Sequence, residues 1–353
     1  MQVSSVANIL EQIVRVIVIL AGSFLTLKVF HLSLNTAVGV AVFGATVGAL
    51  FAYFYVYAKI RKSKSLNRKA KPTLAEVKIT NKDLVKRIIF YALPFVAISV
   101  LQSAFVMVDV FTVVRGLTGI GYTTEISENV LSVIATWGSK LNMIVMSISM
   151  GIVMSLIPAI ASAYAVKNYD EVNGKVNQAL KTLLFVCVPM ATGLCFLSSA
   201  VWTVFYGYNE LNSSVFKLLI MSQITLSVCS VMVNASQSMN NTKQSIIALG
   251  GSLIAKVLLN VPMMHLFNLI GIEAYYAPIA LNILIDTSAS LYLLYIVKKD
   301  TKISYFKTVQ TIIKIVLCTV IMVLVLSILN MFIPSYSHSR MISILYIVLY
   351  GII

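Results

Sequence analysis

The feature that most constrains the fold is a series of long apolar runs joined by short polar connections. A helix needs about 20 mostly apolar residues to cross a hydrocarbon core of about 30 Å. Nine runs reach this length: 9–29, 36–57, 88–113, 141–165, 179–206, 215–236, 244–267, 272–297 and 309–333. Charged residues make up only 11% of the chain, against about 25% in a soluble domain. The sequence therefore predicts an all-α, polytopic membrane helical bundle and excludes an ordinary soluble enzyme.

The two ends of the sequence are abrupt. A tenth apolar run, 341–353, extends for roughly 20 Å at about 1.5 Å per residue, which is too short to cross a bilayer. The first run begins within ten residues of Met1 and lacks a signal-peptide pattern. We therefore expect a fragment of a longer protein, with about nine full transmembrane helices and a truncated tenth.

Basic residues predict the orientation in the membrane. The segment 59–87 contains eleven basic and two acidic residues, and basic loops lie on the cytoplasmic side. This places the N-terminus in the cytoplasm and both tryptophans, Trp137 and Trp202, at the outer interface. The segment also suits a linker between two helical bundles, or a surface for anionic lipid headgroups. It contains no aromatic residue, so we predict no nucleic-acid site there.

Ionisable residues inside a membrane span are costly, and by default they mark a pathway or an ion pair. Glu11 and Arg15 are four residues apart in the first span and share a helix face. They either pair with each other or place a cation along an anion path. Asp109 lies in the third span, seven residues after Gln102 on the same face. We expect Asp109 to contact an ion or a cationic partner from another helix.

Two further spans each carry a charge and an amide at a spacing of four residues. Lys256 and Asn260 share a face of the seventh span, and Asn282 and Asp286 share a face of the eighth. Both charges lie near mid-span, where a side chain does not easily reach water. A Lys256–Asp286 ion pair is one interpretation of this pattern, and a site for an ion or a headgroup is the other.

A polar stripe runs along the sixth span. Gln223, Ser227, Ser230, Asn234 and Gln237 recur at intervals of three and four residues, which places them on one face of an α-helix. In a membrane such a face contacts protein or a wet cavity. Both interpretations, hydrogen bonds between helices and the wall of a cavity, stay open at this point.

Five of the seven prolines interrupt predicted spans, a pattern typical of proteins whose helices bend around cavities. They are Pro94, Pro158, Pro189, Pro262 and Pro278. The sequence contains no phosphate-binding loop, no nucleophile elbow and no CxxC pair, and its histidines are far apart. We therefore predict that the protein is not an enzyme and has no cofactor and no metal beyond a monovalent cation.

Five segments carry a resemblance to a known family. They are EQIVR (11–15), YALPF (91–95) followed by Asp109, MGIVMSLIPAIASAYA (150–165), VPMATGLCFLSSAVWTVFYG (188–207) and KVLLNVPM (256–263). In this order, over most of residues 5–330, the sequence resembles the multidrug/oligosaccharidyl-lipid/polysaccharide (MOP) exporter superfamily. Within it, the sequence resembles the branch of bacterial polysaccharide-biosynthesis proteins and lipid II flippases, including the stage V sporulation protein B type.

The resemblance implies a V-shaped fold of two six-helix bundles joined by a long cytoplasmic loop, followed in this branch by two extra helices. Residues 1–58 would be the last two helices of an incomplete N-terminal bundle, and 59–87 the loop. Residues 88–297 would form the C-terminal bundle, and 309–353 the extra pair with its second helix truncated. The implied location is the bacterial plasma membrane.

The implied function is to flip an undecaprenyl-pyrophosphate-linked oligosaccharide or peptidoglycan precursor to the outer leaflet by alternating access. The partners are then that polyprenyl-diphosphate-linked glycan, membrane lipid and a coupling ion, Na⁺ or H⁺. The candidate headgroup residues in the cavity are Arg15, Glu11, Lys256, Gln223 and Asn234.

A candidate cation site consists of Asp109, Asn260 and Asp286. Some relatives have a second acidic residue one turn after the position of Asn260, where this sequence has Met264. The alternative functions are a multidrug or cation antiporter of the same superfamily and a membrane enzyme that acts on polyprenyl-linked sugars. The enzyme would need a loop with paired acidic residues, which the sequence lacks.

Overall fold

The computed structural model describes residues 2–62, 81–332 and 339–351, so much of the predicted linker lies outside the described residues. The chain divides into two compact units, Met1–Thr80 and Asn81–Ile353. All regular elements in the described ranges are helical, and nine of these helices are long and apolar enough to cross a membrane. The predicted all-α fold with nine spans is therefore confirmed.

The first unit contains a helical hairpin. Helix α1 (Gln2–Phe24) continues into a π-helical turn, and α2 (Leu34–Lys62) returns beside it. Glycine allows the two backbones to approach closely: a Cβ atom at Gly48 would lie 2.7 Å from the Glu11 carbonyl oxygen. Gly44 and Gly48 form a GxxxG motif, which is typical of helix pairs in membranes because the missing side chains leave room for the partner backbone.

In its described residues, 81–332 and 339–351, the second unit has ten α-helices. In chain order they are α3 (Asn81–Ile120), α4 (Thr124–Ser132), α5 (Gly138–Ala165), α6 (Tyr169–Phe196), α7 (Ser198–Tyr206), α8 (Glu210–Ser238), α9 (Thr242–Leu269), α10 (Ala277–Thr301), α11 (Phe306–Phe332) and α12 (Arg340–Gly351). Side-chain oxygens cap several of them; for example, the Asn209 side chain accepts a hydrogen bond from the Asn212 amide at the start of α8.

The observed helix boundaries correct two predictions. The run 179–206 is not one span, because α6 ends at Phe196 and the short α7 begins at Ser198 after a change of backbone conformation at Leu197. Pro278 does not interrupt a helix: it lies in the first turn of α10, where proline is favoured because no backbone N–H donor is needed. The other four prolines do lie inside helices.

Helix α8 lies at the centre of the second unit. It packs against α5, α6 and α10, and 56% of its most apolar stretch is buried, against 6% of the corresponding stretch of α3. Helix α9 packs between α3 and α10, α11 packs on α6, and α12 packs on α7. Many large apolar side chains remain on the outer faces of these helices, as expected for surfaces that contact lipid.

The connections between helices lie at two opposite ends of this unit, and hydrogen bonds in and beside these connections hold each end together. At the basic end, the Asn241 amide donates to the Asp300 carboxylate. The Asn177 amide donates to the Ser304 carbonyl oxygen, and the Thr308 hydroxyl donates to the Asn177 side-chain oxygen. At the opposite, aromatic end, the Tyr122 hydroxyl donates to Glu273 over 2.6 Å. The basic end contains the connections 166–168, 239–241 and 302–305, and the aromatic end contains 121–123, 207–209 and 270–276.

Candidate functional site

A buried ion pair joins α3 to α9. The Lys256 ammonium lies 2.7 Å from Oδ2 of Asp109 and donates a second hydrogen bond of 3.0 Å to the Phe105 carbonyl oxygen. It also lies 5.6 Å from the centroid of the Phe105 ring, within cation–π range. Lys256 is only 1% exposed and Asp109 4%, so each charge has the other as its principal compensation. Asp109 therefore has the cationic partner from another helix that the sequence predicted.

An amide and a hydroxyl extend this cluster. The Asn260 amide nitrogen donates to Oδ1 of Asp109 over 3.3 Å and to the Thr112 hydroxyl oxygen over 2.6 Å. The Asn260 carbonyl oxygen, Oδ1, is buried and has no hydrogen-bond partner among the described residues. The cluster thus combines an ion pair with an unused oxygen acceptor of the kind that can bind a hydroxyl, water or a hard cation.

Helical spacing and close packing produce this arrangement. Phe105, Asp109 and Thr112 follow one another at intervals of four and three residues on α3, so they share a face, as Lys256 and Asn260 do on α9. One turn beyond Thr112, Gly116 brings the helices together: a Cβ atom there would lie 2.6 Å from the Met264 sulfur. Met264 is thus a fully buried packing residue.

The Lys256–Asp286 ion pair suggested by the sequence does not form in the described part of the chain. Lys256 instead pairs with Asp109, because α9 presents this side chain to α3. Asp286 is half-buried on α10, close enough to Lys256 for an electrostatic interaction, and its carboxylate makes no hydrogen bond to any described residue. Of the three candidate cation-site residues, Asp109 and Asn260 are in direct contact and Asp286 belongs to the neighbouring helix.

The candidates of the first unit form a second ion pair. The Arg15 guanidinium lies 2.5 Å from Oε1 of Glu11, one helical turn away, so the local pairing suggested by the spacing is observed. The side chains are 33% and 24% exposed, respectively, unlike the fully buried Lys256. The Arg15 Nε atom is buried without a hydrogen-bond partner among the described residues, which leaves one donor of this guanidinium available.

The polar stripe of α8 is buried at Gln223 and Ser227 and half-buried at Ser230, Asn234 and Gln237. Gln223 is 5% exposed, and its amide donates to the Leu219 carbonyl and the Ser222 hydroxyl of α8 itself. Asn234 donates to the Ser230 carbonyl over 2.7 Å. The Ser227 hydroxyl donates to the Met146 sulfur of α5. In this conformation, the stripe contacts protein and satisfies much of its hydrogen-bonding capacity within α8.

A tyrosine connects two turns at the aromatic end. The Tyr122 hydroxyl donates to the Glu273 carboxylate and accepts a hydrogen bond from the Ala274 amide. Burial raises the pKa of Tyr122, and the Glu273 carboxylate that accepts its hydrogen bond raises the pKa further. The phenol therefore stays protonated at neutral pH and holds the α3–α4 turn to the α9–α10 connection.

Sequence reasoning did not identify Phe105 or Thr112 as partners of Lys256 and Asn260. Their spacing around Asp109 is visible in the sequence, but a phenylalanine whose backbone carbonyl binds an ammonium has no sequence signature. The GxxxG motif of α2 was also missed, although Gly44 and Gly48 could have indicated the close packing of the first hairpin.

Curated relatives decide the family. The chain is 31% identical to the lipid II flippase MurJ of Bacillus subtilis (strain 168) over 276 residues, which are 76% of this chain and 50% of that protein. The chain belongs to the lipid II flippase branch of the MOP exporter superfamily. It is also 21% identical to the sporulation protein YkvU of the same bacterium over 57% of this chain and 41% of that protein. No protein-family model matches the sequence.

A solved structure agrees with this assignment at the level of the fold. The lipid II flippase MurJ in an inward closed conformation matches with a TM-score of 0.62 and 19% identity, over 96% of this chain and 64% of that one. The chain spans about half the length of the curated relatives it matches. As a member of the MOP exporter superfamily, it is a multi-pass protein of the bacterial plasma membrane, and homology to transporters agrees with the prediction that it is not an enzyme.

Proposed function

We propose that this protein moves an undecaprenyl-pyrophosphate-linked oligosaccharide or peptidoglycan precursor from the inner to the outer leaflet by alternating access. The observation that carries the proposal is the 31% identity to a lipid II flippase over three quarters of the chain. A diphosphate cannot cross hydrocarbon unaided, because its charges lose their hydration there, whereas a polyprenyl tail can remain in lipid. The protein therefore has to shelter only the polar headgroup.

Arg15 and Glu11 are the headgroup residues that we propose for the first unit. A guanidinium binds phosphate oxygens through two parallel N–H donors, and Arg15 has a donor that no described residue uses. Glu11 holds this side chain on one helix face and compensates its charge before the substrate arrives. Exchange of the Glu11 carboxylate for a phosphate would then cost little, because one anionic partner replaces another.

Lys256, Gln223 and Asn234 act in this proposal only after helices separate. In the present conformation, Lys256 is bound to Asp109, and both amides are engaged within α8. A headgroup diphosphate competes with Asp109 for Lys256 once α3 moves away from α9, which links substrate binding to rearrangement of the second unit. Prolines inside α3, α5, α6 and α9 favour such bending.

We further propose a monovalent cation, Na⁺ or H⁺, as the coupling ion at Asp109, Asn260 and Asp286. The carboxylates and the unpartnered Asn260 oxygen are acceptors that suit either ion. In this conformation Lys256 compensates Asp109, so in this proposal the ion reaches Asp109 only after α3 separates from α9. Each of the acids Asp109 and Glu11 has a basic partner of its own, and this balance of charge favours the flippase over the cation antiporter.

The orientation in this proposal places the basic end of the second unit in the cytoplasm. The described part of this end has eleven basic residues: Lys82, Lys86, Arg87, Lys167, Lys175, Lys181, Lys243, Lys298, Lys299, Lys302 and Lys307. Arg115, Lys140, Lys217 and Arg340 lie toward the aromatic end. The excess at the basic end supports the predicted topology, because cytoplasmic loops are enriched in lysine and arginine.

The test measures how much polyprenyl-linked sugar becomes accessible on the outer leaflet of cells that depend on this protein. We expect Arg15→Ala to reduce translocation about tenfold or more, because the headgroup loses a charge-assisted hydrogen bond. Arg15→Lys should retain part of the activity. Lys314→Ala is the matched control, because Lys314 is an exposed cation on α11 outside the proposed site.

Lys256 needs a second variant, because removing one partner of a buried ion pair also weakens the fold. We expect Lys256→Ala to insert but not to translocate, and the double variant Lys256→Met/Asp109→Leu to be stable and equally inactive. Normal translocation by the double variant would show that the pair is only structural. Wild-type protein that leaves the sugar on the inner leaflet would contradict the proposed function itself.

A further inference from the structure

A cavity at the aromatic end of the second unit has no role in the proposed headgroup site. Its volume is about 470 Å³, and its walls come from α4, α7, the start of α8 and the turn before α5. This volume falls within the range of about 300–1,000 Å³ that is typical of small-molecule sites. The cavity lies far along the helices from the Lys256–Asp109 pair, beside the connection 207–209.

One wall of this cavity is aromatic. It consists of Trp137, Trp202, Tyr206 and Tyr208. The Tyr206 ring is central, because its centroid lies 4.7 Å from that of Trp137 in an edge-to-face contact and 4.8 Å from that of Trp202. The Tyr206 hydroxyl donates to the Trp137 carbonyl oxygen over 3.0 Å, which holds the Tyr206 side chain against the Trp137 backbone.

The two tryptophans differ in exposure, so an interfacial aromatic belt does not account for both of them. Trp137 is 47% exposed and presents part of its ring at the rim, whereas Trp202 is 2% exposed inside the protein. A belt residue would direct its ring toward the headgroup region of the bilayer. Trp202 is buried against Tyr206 instead, and the two tryptophan rings and Tyr206 form one partly buried aromatic cluster.

The lining of the cavity also includes a carboxylate and three amides: Glu128, Asn129, Asn209 and Asn212. Asn209 is engaged as the cap of α8, since its side-chain oxygen accepts from the Asn212 amide over 2.9 Å. The Asn212 side-chain oxygen, by contrast, is buried and has no hydrogen-bond partner among the described residues. A buried acceptor without a partner is costly, and a ligand donor would satisfy it.

We infer that this cavity binds a saccharide. A pyranose ring has an apolar face of C–H groups, which packs on aromatic rings, and an edge of hydroxyl groups, which bind carboxylates and amides. The aromatic wall matches the first surface, and Asn212, Asn129 and Glu128 match the second. The binding of a saccharide does not depend on the proposed function. We further identify this saccharide with the glycan of the translocated lipid on the outer side, and that identification rests on the proposed function.

The sequence provides a direct readout, because it contains only two tryptophans and both line this cavity. The protein in lipid nanodiscs is titrated with two soluble probes, cellobiose and N,N′-diacetylchitobiose, while tryptophan fluorescence is recorded. We expect a saturable change in intensity or wavelength with at least one disaccharide. Asn212→Ala should weaken this binding about threefold to tenfold, because one hydrogen bond is lost, and both reporters remain in place.

The matched control is Asn268→Ala, an exposed asparagine at the same end outside the cavity, which should bind like the wild type. In a second variant, Trp137→Ala, the stacking surface is removed and Trp202 should report no binding. Absence of a saturable response to both probes would overturn the inference, as would equal affinities of Asn212→Ala and wild type. Quenching of Trp137 by brominated lipid without any response to sugar would assign the ring to the bilayer interface and would also overturn it.

The outcomes separate this inference from the proposed function. Saccharide binding by a protein that fails the translocation assay would contradict the flippase proposal and leave the site in place. Translocation by a protein whose tryptophans never respond to either disaccharide would support the flippase and reject the site.

Discussion

At the scale of single residues, the Lys256–Asp109 pair is the most constrained feature of the second unit. Both side chains are almost fully buried, and the ammonium also binds the Phe105 carbonyl oxygen. Transfer of two charges out of water is expensive, and their mutual attraction offsets this cost only while both are present. The pair therefore specifies which faces of α3 and α9 meet, and its main effect is not an increase in the free energy of unfolding.

This argument predicts the effect of removing one partner. Lys256→Met leaves the Asp109 carboxylate buried without its cation, and we expect a loss of about 3–5 kcal/mol in the free energy of unfolding. The double variant Lys256→Met/Asp109→Leu should recover most of that loss, because no charge remains buried. Reversible unfolding in micelles or bicelles measures both values.

Lys243→Met is the control for the loss of a lysine, because Lys243 is exposed at the start of the same helix. We expect a change of less than about 0.5 kcal/mol for this variant, as for most surface substitutions. An effect of Lys256→Met as small as that of Lys243→Met would contradict the role of the Lys256–Asp109 pair in holding α3 to α9.

At the scale of elements, small residues decide how closely helices pack. The α1–α2 hairpin and the α3–α9 pair both contain a glycine where a Cβ atom would lie within 3 Å of the partner helix. In α3–α9 the neighbour is the end of a flexible methionine side chain, but at Gly48 it is the backbone carbonyl of Glu11. A backbone atom cannot move aside without moving its helix, so Gly48 is the less tolerant position.

Gly48→Ala should therefore separate α1 from α2 and raise amide hydrogen exchange in both helices of the intact protein. Gly39→Ala is the matched control, because a Cβ atom at Gly39 would meet no atom within 4 Å. Alanine is the better helix former by about 1 kcal/mol, so this control should exchange as slowly as the wild type or more slowly. Equal exchange rates in the two variants would contradict close packing at Gly48.

The element scale also separates what sequence patterns could predict from what they could not. Each of the nine apolar runs contains one of the nine membrane-length helices in the described residues, because a long hydrophobic stretch in a bilayer has to satisfy its own backbone hydrogen bonds. Hydropathy did not show that 179–206 contains two helices, since Leu197 is as apolar as its neighbours and the break is a backbone event. Hydropathy also did not show that Pro278 lies in the first turn of α10, where a proline disturbs no backbone hydrogen bond of the helix.

At the scale of the whole molecule, the distribution of charge predicts one orientation. The basic end of the second unit should face the cytoplasm and the aromatic end the outside. In a variant without native cysteines, Asn268→Cys at the aromatic end should react with a membrane-impermeant maleimide in intact cells. Asp170→Cys near the basic end should react only after permeabilisation.

Both positions are exposed, so each cysteine should react once the reagent reaches it. Complete labelling of both variants after permeabilisation is the internal control. The reverse pattern, with Asp170→Cys accessible in intact cells, would contradict the orientation and place the proposed saccharide site in the cytoplasm.

The amino-acid sequence by itself determined the class of this protein, its helical spans and the residues whose charges require partners. These properties depend on composition and periodicity, which act locally through the hydrophobic effect and backbone hydrogen bonding. The tertiary structure decided which partners meet: Lys256 binds Asp109 rather than Asp286, and Trp137 and Trp202 line one cavity although 64 residues separate them in the numbering. Such pairings depend on how helices rotate and pack against each other, and close packing is a property of the assembled interface that no single span encodes.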